Sequence, residues 1–496
     1  MGFAALVTAA LIAGCGSESR SVVTPISGSG GSAQPAALAA VVSYTGSSND
    51  GVATILDYSG DTIVAQATIG PGPLAFSADK SGAEGYTLNS DSTITAFPMA
   101  STLQAKNVVV STLASTATPL NMFTPSAGMW IPDLTGGKNL SSVVDVYTGS
   151  TLSSKMAIPV ATTPIAVVGP ATVGNQNYVL SQNFADSTGM LCNTQPHSLT
   201  NKGEVDALDV GTYSVAAQLP VGVCPVYAVM SSDSKRLFVL NRGSDTISVI
   251  NADSNELDSC TPFTNPSGRT VTCHPTLPLS TTAGLGGTNV PSVAGPVYAE
   301  YNAATSQLIV ANYDGNTVNV IDVSLDSYGN DSDTFGTTYT IPVGTHPASV
   351  TALYDGSLAY TANQGDASKT NGTVTIINLT SHKVEKTLTV MGHPRTVASI
   401  QNSSYGKVYV ASPDSPYVTI LRTDQDEVGT TVLVKGNVVD VRVSGQFAGS
   451  SNASNANVVS RRPGYGQPCN LPPELEPSPT GTQTALDVCR AIPDYK

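Results

Sequence analysis

Apolar and polar residues alternate over short runs that end in turn residues, and the arrangement returns along most of the chain. In KRLFVLNRGSDTISVINAD, residues 235–253, two apolar runs flank a turn of Gly, Ser and Asp. Period-two apolar spacing interrupted in this way predicts a β-hairpin. The phrase is written again in QLIVANYDGNTVNVID at 307–322, SLAYTANQGDASKTNGTVTIIN at 357–378 and KVYVASPDSPYVTIL at 407–421. One such hairpin cannot bury both its faces alone, so the copies are expected to pack on one another.

A proline precedes each new unit: Pro73, Pro119, Pro164, Pro225, Pro296, Pro347 and Pro394, at spacings of 46, 45, 61, 71, 51 and 47. A base unit of about 45 residues holds four short strands, which is the spacing of propeller blades. Proline fixes φ and donates no hydrogen bond, so it belongs just outside a ladder, at the turn between blades. Each unit then reads as one strand after the proline, the hairpin, and a fourth strand such as Val384–Val390. The first unit holds only three strands, near Leu38–Tyr44, Val52–Tyr58 and Thr62–Ile69, while one strand, Val438–Val443, is left over at the far end. The fold class that follows is all-β, a closed propeller of four-stranded blades, in which Val438–Val443 completes the N-terminal blade and removes the exposed edges. Counting hairpins gives eight blades, or seven if the weak unit at Pro73 or Pro119 is not a blade. Two units carry extra residues, Ala185–Asn201 and Leu257–Pro291, both expected as loops on one rim.

The hairpin phrases resemble the YVTN family of β-propeller repeats, found in lactonase-like propellers and bacterial surface proteins. Tyr360-Thr361-Ala362-Asn363 carries the likeness best, followed by Leu308–Asn312 and Leu237–Asn241. The resemblance runs over about Ala37–Ser444. It implies a propeller and leaves function open, since the family includes binding proteins and a minority of enzymes. Near the N-terminus, an apolar run too short to span a bilayer ends in Ile12-Ala13-Gly14-Cys15. These residues resemble the lipobox of bacterial lipoproteins, which implies a signal peptide over 1–14 and a lipidated Cys15 as the mature N-terminus. A Gly/Ser tether at 15–36, the propeller at 37–446, a polar linker at 447–460 and a Pro-rich tail at 461–496 complete the expected organisation.

The 496 residues are 41% hydrophobic, enough for a large core, and only 12% charged. A formal charge of −14 argues against nucleic acid, because binding to phosphate needs a basic face. Apart from Cys15 there are six cysteines, an even set that reads as disulfides in an exported chain, with sequential pairs favoured: Cys192–Cys224, Cys260–Cys273 and Cys469–Cys489.

Candidate chemistry is sparse. His346 and His393 stand immediately before Pro347 and Pro394, in the same place of consecutive units, with Arg395 beside them. Neighbouring imidazoles could hold a transition metal, or one could act as a base while Arg395 holds an anion. A turn that simply tolerates histidine is the alternative. Asp326, Asp331 and Asp333 lie in DSYGNDSD, rich in oxygen ligands, where either calcium or an ordinary solvated turn is expected. No GxSxG elbow and no phosphate loop is present. The residues therefore favour a binding protein without catalysis or cofactor. It would be held to the cell envelope by lipid, at the outer membrane, cell surface or periplasmic face, and meet a protein or glycan at a rim. The alternative is a lactonase-like or metal-assisted hydrolase working at the axial opening.

Overall fold

The hairpins close as their spacing requires. Arg236–Asn241 pairs antiparallel with Thr246–Asn251, and Leu237, Phe238, Val239, Leu240, Ile247, Val249 and Ile250 are all buried. Such runs are buried on both faces because each sheet is sandwiched between two others. The structure, a computed structural model, describes residues 38–443 apart from 46–49, 80–81, 114–118, 120, 125–128, 134–142, 149–150, 171–175, 185–191, 193–195, 280–283, 286–292, 367 and 400–405. The expected leader, tether, linker and tail, with Cys15, Cys469 and Cys489, lie outside the described residues.

Eight sheets follow one another as the blades of a β-propeller. The inner strands of blades 2 and 4 to 8 are Pro73–Ala78, Pro164–Val168, Pro225–Met230, Pro296–Asn302, Pro347–Ala352 and Thr396–Ser399. Blade 3 has three named strands, Met129–Asp133, Val143–Tyr147 and Ser154–Pro159. Its inner position is marked by the bridges Pro119 to Asp133 and Phe123 to Trp130. Blade 1 is assembled from both ends of the described chain. Its order is Thr62–Pro71, Asp50–Asp57, Leu38–Tyr44 and then Asn437–Val443 innermost. Ala39 lies opposite Val443, Val41 opposite Val441 and Ser43 opposite Val438. The expected ring closure is present.

Proline is the first residue of the inner strand in blades 2, 4, 5, 6 and 7, and a register shift follows each at once, between Pro73 and Ala75 for example. A residue without an N–H cannot extend the ladder, so the strand starts on a bulge. The asparagine that ends the hairpin phrase ties the second strand to the third. The Nδ2 of Asn89, Asn241, Asn312 and Asn363 donates to Thr95, Ser248, Asn319 and Thr375 at 2.9, 3.0, 2.6 and 2.9 Å. The preceding outer strand passes over that amide on a glycine. A Cβ on Gly70 would stand 2.1 Å from Asn89 Nδ2, and one on Gly344 2.7 Å from Asn363 Nδ2. The repeated Gly before proline and the repeated Asn are therefore two halves of one contact.

Apolar clusters fill the blade interfaces. One runs continuously from blade 3 to blade 7, and four more occupy the interfaces 7–8, 8–1, 1–2 and 2–3. At the centre each inner strand would leave an edge of unpaired backbone groups, which is costly in a buried place. Side chains of adjacent blades meet them. Arg442 Nη2 donates to the Phe76 carbonyl at 3.0 Å, Arg395 Nη2 to Val439 at 2.9 Å, Ser349 Oγ to Arg395 at 2.9 Å and Gln182 Nε2 to Pro225 at 3.1 Å. Glu300 Oε1 accepts the Ala352 N–H at 3.0 Å.

The disulfide-bearing loops of the two insertions do not share a rim, contrary to the expectation. The first lies between the second and third strands of blade 4, Gln176–Ser181 and Lys202–Asp209, at the end where the chain also crosses between blades. The second interrupts the outer strand of blade 5, which begins at Glu256–Leu257 and resumes at Thr276–Pro278, and it meets the loop between the third and fourth strands of blade 6. In an antiparallel meander those positions are at opposite ends. Each insertion carries an expected disulfide, Cys192–Cys224 in the first and Cys260–Cys273 in the second.

Val441 is fully buried opposite Val41, whereas Leu433 is among the exposed apolar residues. An uncompensated buried charge costs roughly 3–5 kcal/mol. In chemical denaturation Val441→Lys is expected to lose about that much, while Leu433→Lys stays within ~0.5 kcal/mol of the parent.

Candidate functional site

Where the chain leaves the outer strand of one blade for the inner strand of the next, the residue before proline takes a left-handed conformation. The φ values are 50° at Gly72, 60° at Thr163, 53° at Cys224, 61° at Gly295 and 54° at His346. Proline disfavours the right-handed helical region for the residue before it, and the turn excludes an extended one. The N–H here reaches back to the preceding blade: His346 donates to Asn316 Oδ1 at 2.8 Å and Gly295 to Asp245 Oδ1 at 2.7 Å.

His346 and His393 share a ladder position, since Ser349 and Thr396, each two residues past its proline, lie opposite Ala362 and Ala411, but their backbones differ. In blade 8 the left-handed conformation falls one residue earlier, on Gly392, with φ 70° and its N–H on Asn371 Oδ1 of blade 7 at 3.2 Å. His393 instead turns to its own blade, donating its N–H to Asp414 Oδ1 at 2.7 Å while Nδ1 lies 2.5 Å from Oδ2. Arg395 is buried, and its guanidinium ties blade 8 to the Val439 carbonyl. Burial lowers its pKa, against the pull of Asp440.

His346 belongs to a different group on the same rim. Its ring stacks on Tyr313 with centroids 4.5 Å apart and an interplanar angle of 12°, and Nδ1 donates to the Gly365 carbonyl at 3.1 Å. Arg242 lies over the other ring, 5.5 Å from the Tyr313 centroid. Its Nε and Nη2 grip Asp314 at 2.9 and 2.7 Å, a bidentate pair. His197 completes the set from the insertion of blade 4, with Nε2 3.5 Å from Asp314 Oδ2 and Nδ1 3.6 Å from Asp245 Oδ2. Gly295 makes room for this: a Cβ there would stand 1.8 Å from Asp314 Oδ2. Burial pushes the Asp314 carboxyl up, but the hydrogen bonds and charges of His197 and Arg242 outweigh it and bring the pKa down to about 2. Asp245 shifts the other way, because burial outweighs the Gly295 N–H and His197. Residues of four consecutive blades thus meet at one rim, with His197, Asp245, Asp314 and His346 partly exposed and Arg242 and Tyr313 buried among them. His197, Arg242, Asp245, Tyr313 and Asp314 were not singled out from the sequence. The readable signal was that residues just after the hairpin asparagine, Arg242 after Asn241 and Tyr313-Asp314 after Asn312, fall on the rim.

Asp326, Asp331 and Asp333 do not converge as calcium ligands. Arg269, from the insertion of blade 5, takes Asp326 at 2.7 Å, Asp333 at 3.0 Å and the Asp331 carbonyl at 2.6 Å. The buried Asp331 carboxylate meets His274 Nδ1 at 2.7 Å and Arg236 Nη2 at 3.5 Å. Burial raises the Asp326 carboxyl, yet Arg269 and the backbone N–H groups of Asn330 and Tyr328 hold it well below the usual range. Asp258, also beside Arg236, rises to about 6 through burial and the charge of Asp331. These carboxylates are met by Arg269, His274 and Arg236, which lie 57 to 95 residues earlier in the chain, a distance that local reading of DSYGNDSD could not bridge. Among the described residues no group of three or more His, Cys, Asp or Glu is placed to hold a metal ion.

One further acid pair lies in blade 3. Asp145 is raised to about 7 by burial first and then by the charge and hydrogen bond of the buried Asp133. Two carboxyls that share a proton resist ionising together.

No family model and no curated protein matches the chain. Solved propellers do. AztD of Citrobacter koseri is similar at a TM-score of 0.52 and 11% identity, over 82% of this chain and 97% of that one. The dihydro-heme d1 dehydrogenase NirN, solved in complex with DHE, is similar at 0.54 and 13%, over 84% and 77%. A structure described as a 6-phosphogluconolactonase of Bacteroides fragilis overlaps at 0.47 and 15%, over 82% and 97%. At these identities the first two likenesses establish the propeller fold.

The Asp145 shift has a sign that can be read. A carboxyl raised by folding leaves stability intact below its unfolded pKa and erodes it as pH rises toward the folded value. Asp145→Asn is therefore expected to melt above the parent at pH ~8 and level with it at pH ~4. Calcium and chelator are expected to leave the parent's midpoint unchanged, because the three acidic residues already have cationic partners. A rise of several degrees in millimolar calcium would contradict that assignment.

Proposed function

We propose that this chain is a lipid-anchored propeller of the bacterial cell envelope, akin to YVTN-repeat proteins, that binds a protein or glycan on the rim carrying His197, Arg242, Tyr313 and His346. The supporting observation is where the accessible chemistry lies. Every residue of the named inner strands except Asn437 is buried, and their side chains are engaged across blade interfaces. The rim instead gathers two imidazoles and two carboxylates, partly exposed, over a buried guanidinium and tyrosine from adjacent turns. Such a polar patch suits recognition of a polar partner. The adjoining insertion is covalently fixed by Cys192–Cys224, so the patch is preorganised and less ordering entropy is lost on binding. The anchor rests on Ile12-Ala13-Gly14-Cys15 and the Gly/Ser tether behind it, which would hold the propeller clear of the membrane surface.

Two measurements test this reading separately. Expressed with its own leader in a bacterial host, the chain is expected to incorporate labelled palmitate and sediment with membranes, and Cys15→Ala to do neither. An unlabelled, soluble parent would remove the anchor. On arrays of envelope glycans and of purified envelope proteins, the propeller is expected to bind, and His197→Ala with His346→Ala, the partly exposed imidazoles of the patch, to weaken that binding by tenfold or more, the ~1.4 kcal/mol scale of an interfacial anchor. Equal binding by the variant would remove the rim.

A further inference from the structure

His197 has a carboxylate against each of its ring nitrogens, Asp245 at Nδ1 and Asp314 at Nε2. A neutral imidazole carries one N–H and one lone pair. In this position one nitrogen would then direct its lone pair at a carboxylate oxygen. Only the imidazolium can offer an N–H to both. We propose that His197 is a proton-operated clamp, which in its protonated form fastens the Pro196–Ser198 turn of blade 4 to the turns of blades 5 and 6 and lets go as the proton is lost.

The charges from every neighbouring element agree with this. Blade 5 contributes Arg242 and Asp245, blade 6 contributes Asp314, and Arg242 is already committed to Asp314 through two bonds. With His197 protonated, two cations face two anions. With it neutral, the group carries one uncompensated negative charge. The clamp has a lower limit as well, since burial moves Asp245 up and its carboxylate is lost in strong acid. The closing force is therefore greatest in mild acid, where the imidazolium and both carboxylates coexist.

The turn is shaped to be held. Pro196 is buried, and its carbonyl approaches Gly243 so closely that a Cβ there would stand 2.6 Å away. The disulfide anchors Cys192 to Cys224 at the start of blade 5. His197 is thus the titratable fastening of a segment whose other attachment is covalent, and it operates whether or not the rim has a partner.

Hydrogen exchange on the full chain reads the clamp directly. After correction for the intrinsic pH dependence, the amides of 197–199 are expected to exchange severalfold more slowly at pH ~5.5 than at pH ~8. His197→Gln, which keeps polarity without a titratable proton, is expected to show the fast rate at both, and Asp245→Asn to speed exchange at the lower pH alone. A flat profile in the parent, or a parent-like pH dependence retained in His197→Gln, would overturn the proposal.

Discussion

A row of blades has two ends, and each end is an exposed sheet edge unless something pairs with it. Here the two ends pair with each other: Asn437–Val443 lies along Leu38–Tyr44 as the innermost strand of blade 1. That contact is noncovalent, joins residues about four hundred apart in sequence, and decides whether the array is a ring or an open arc. Its two faces are buried, with Val438, Val441 and Val443 in the cluster shared with blade 8 and Val439 in the cluster shared with blade 2. The same strand carries Arg442, whose guanidinium reaches the edge of blade 2. Closure therefore fixes the inter-blade geometry on both sides of the seam.

A closed ring also determines where exposed chemistry can reside. Inner-strand side chains are consumed in satisfying neighbours' backbone groups, and alternate residues of every hairpin are buried against adjacent blades. What remains is the turns and the outer strands, such as Lys383–Thr389 and Glu427–Leu433, which are largely exposed. Charged residues make up only 12% of the chain, and several of those in the turns bridge blades. On one rim Arg242, Asp314, Asp245 and His197 link blades 4, 5 and 6. On the opposite rim Arg236, Arg269, His274 and Asp331 link blades 5 and 6. Lys407 likewise meets Asp61 across the seam between blades 8 and 1. Half-buried pairs of this kind contribute more through geometry than through net stability.

The architecture was legible because its signals are local and repeated. Period-two runs, a proline at each crossing and one strand too many at the end sufficed for eight blades and for the closing strand, and nearest-neighbour pairing of cysteines was right for the two pairs among the described residues. The sites were not legible, because each is made by residues from different blades. His346 and His393 look alike when read along the chain and keep the same ladder position, yet the left-handed turn residue falls one place earlier in blade 8 and the two imidazoles meet different partners. The acidic loop at 326–333 looked like a cation site since its partners, Arg269 and His274, come from an insertion whose path has no repeat to predict it. Arg395 looked available because sequence does not reveal that its guanidinium fills a blade interface.

The seam carries the account, and hydrogen exchange of Val438–Val443 in the native chain tests it most directly. If the ring is closed by this strand, those amides that bond to Leu38–Tyr44 exchange as slowly as the paired amides of Pro225–Met230, through global unfolding alone. Exchange at the rate of unpaired chain, with Pro225–Met230 still protected, would contradict the closure and the rim geometry that depends on it.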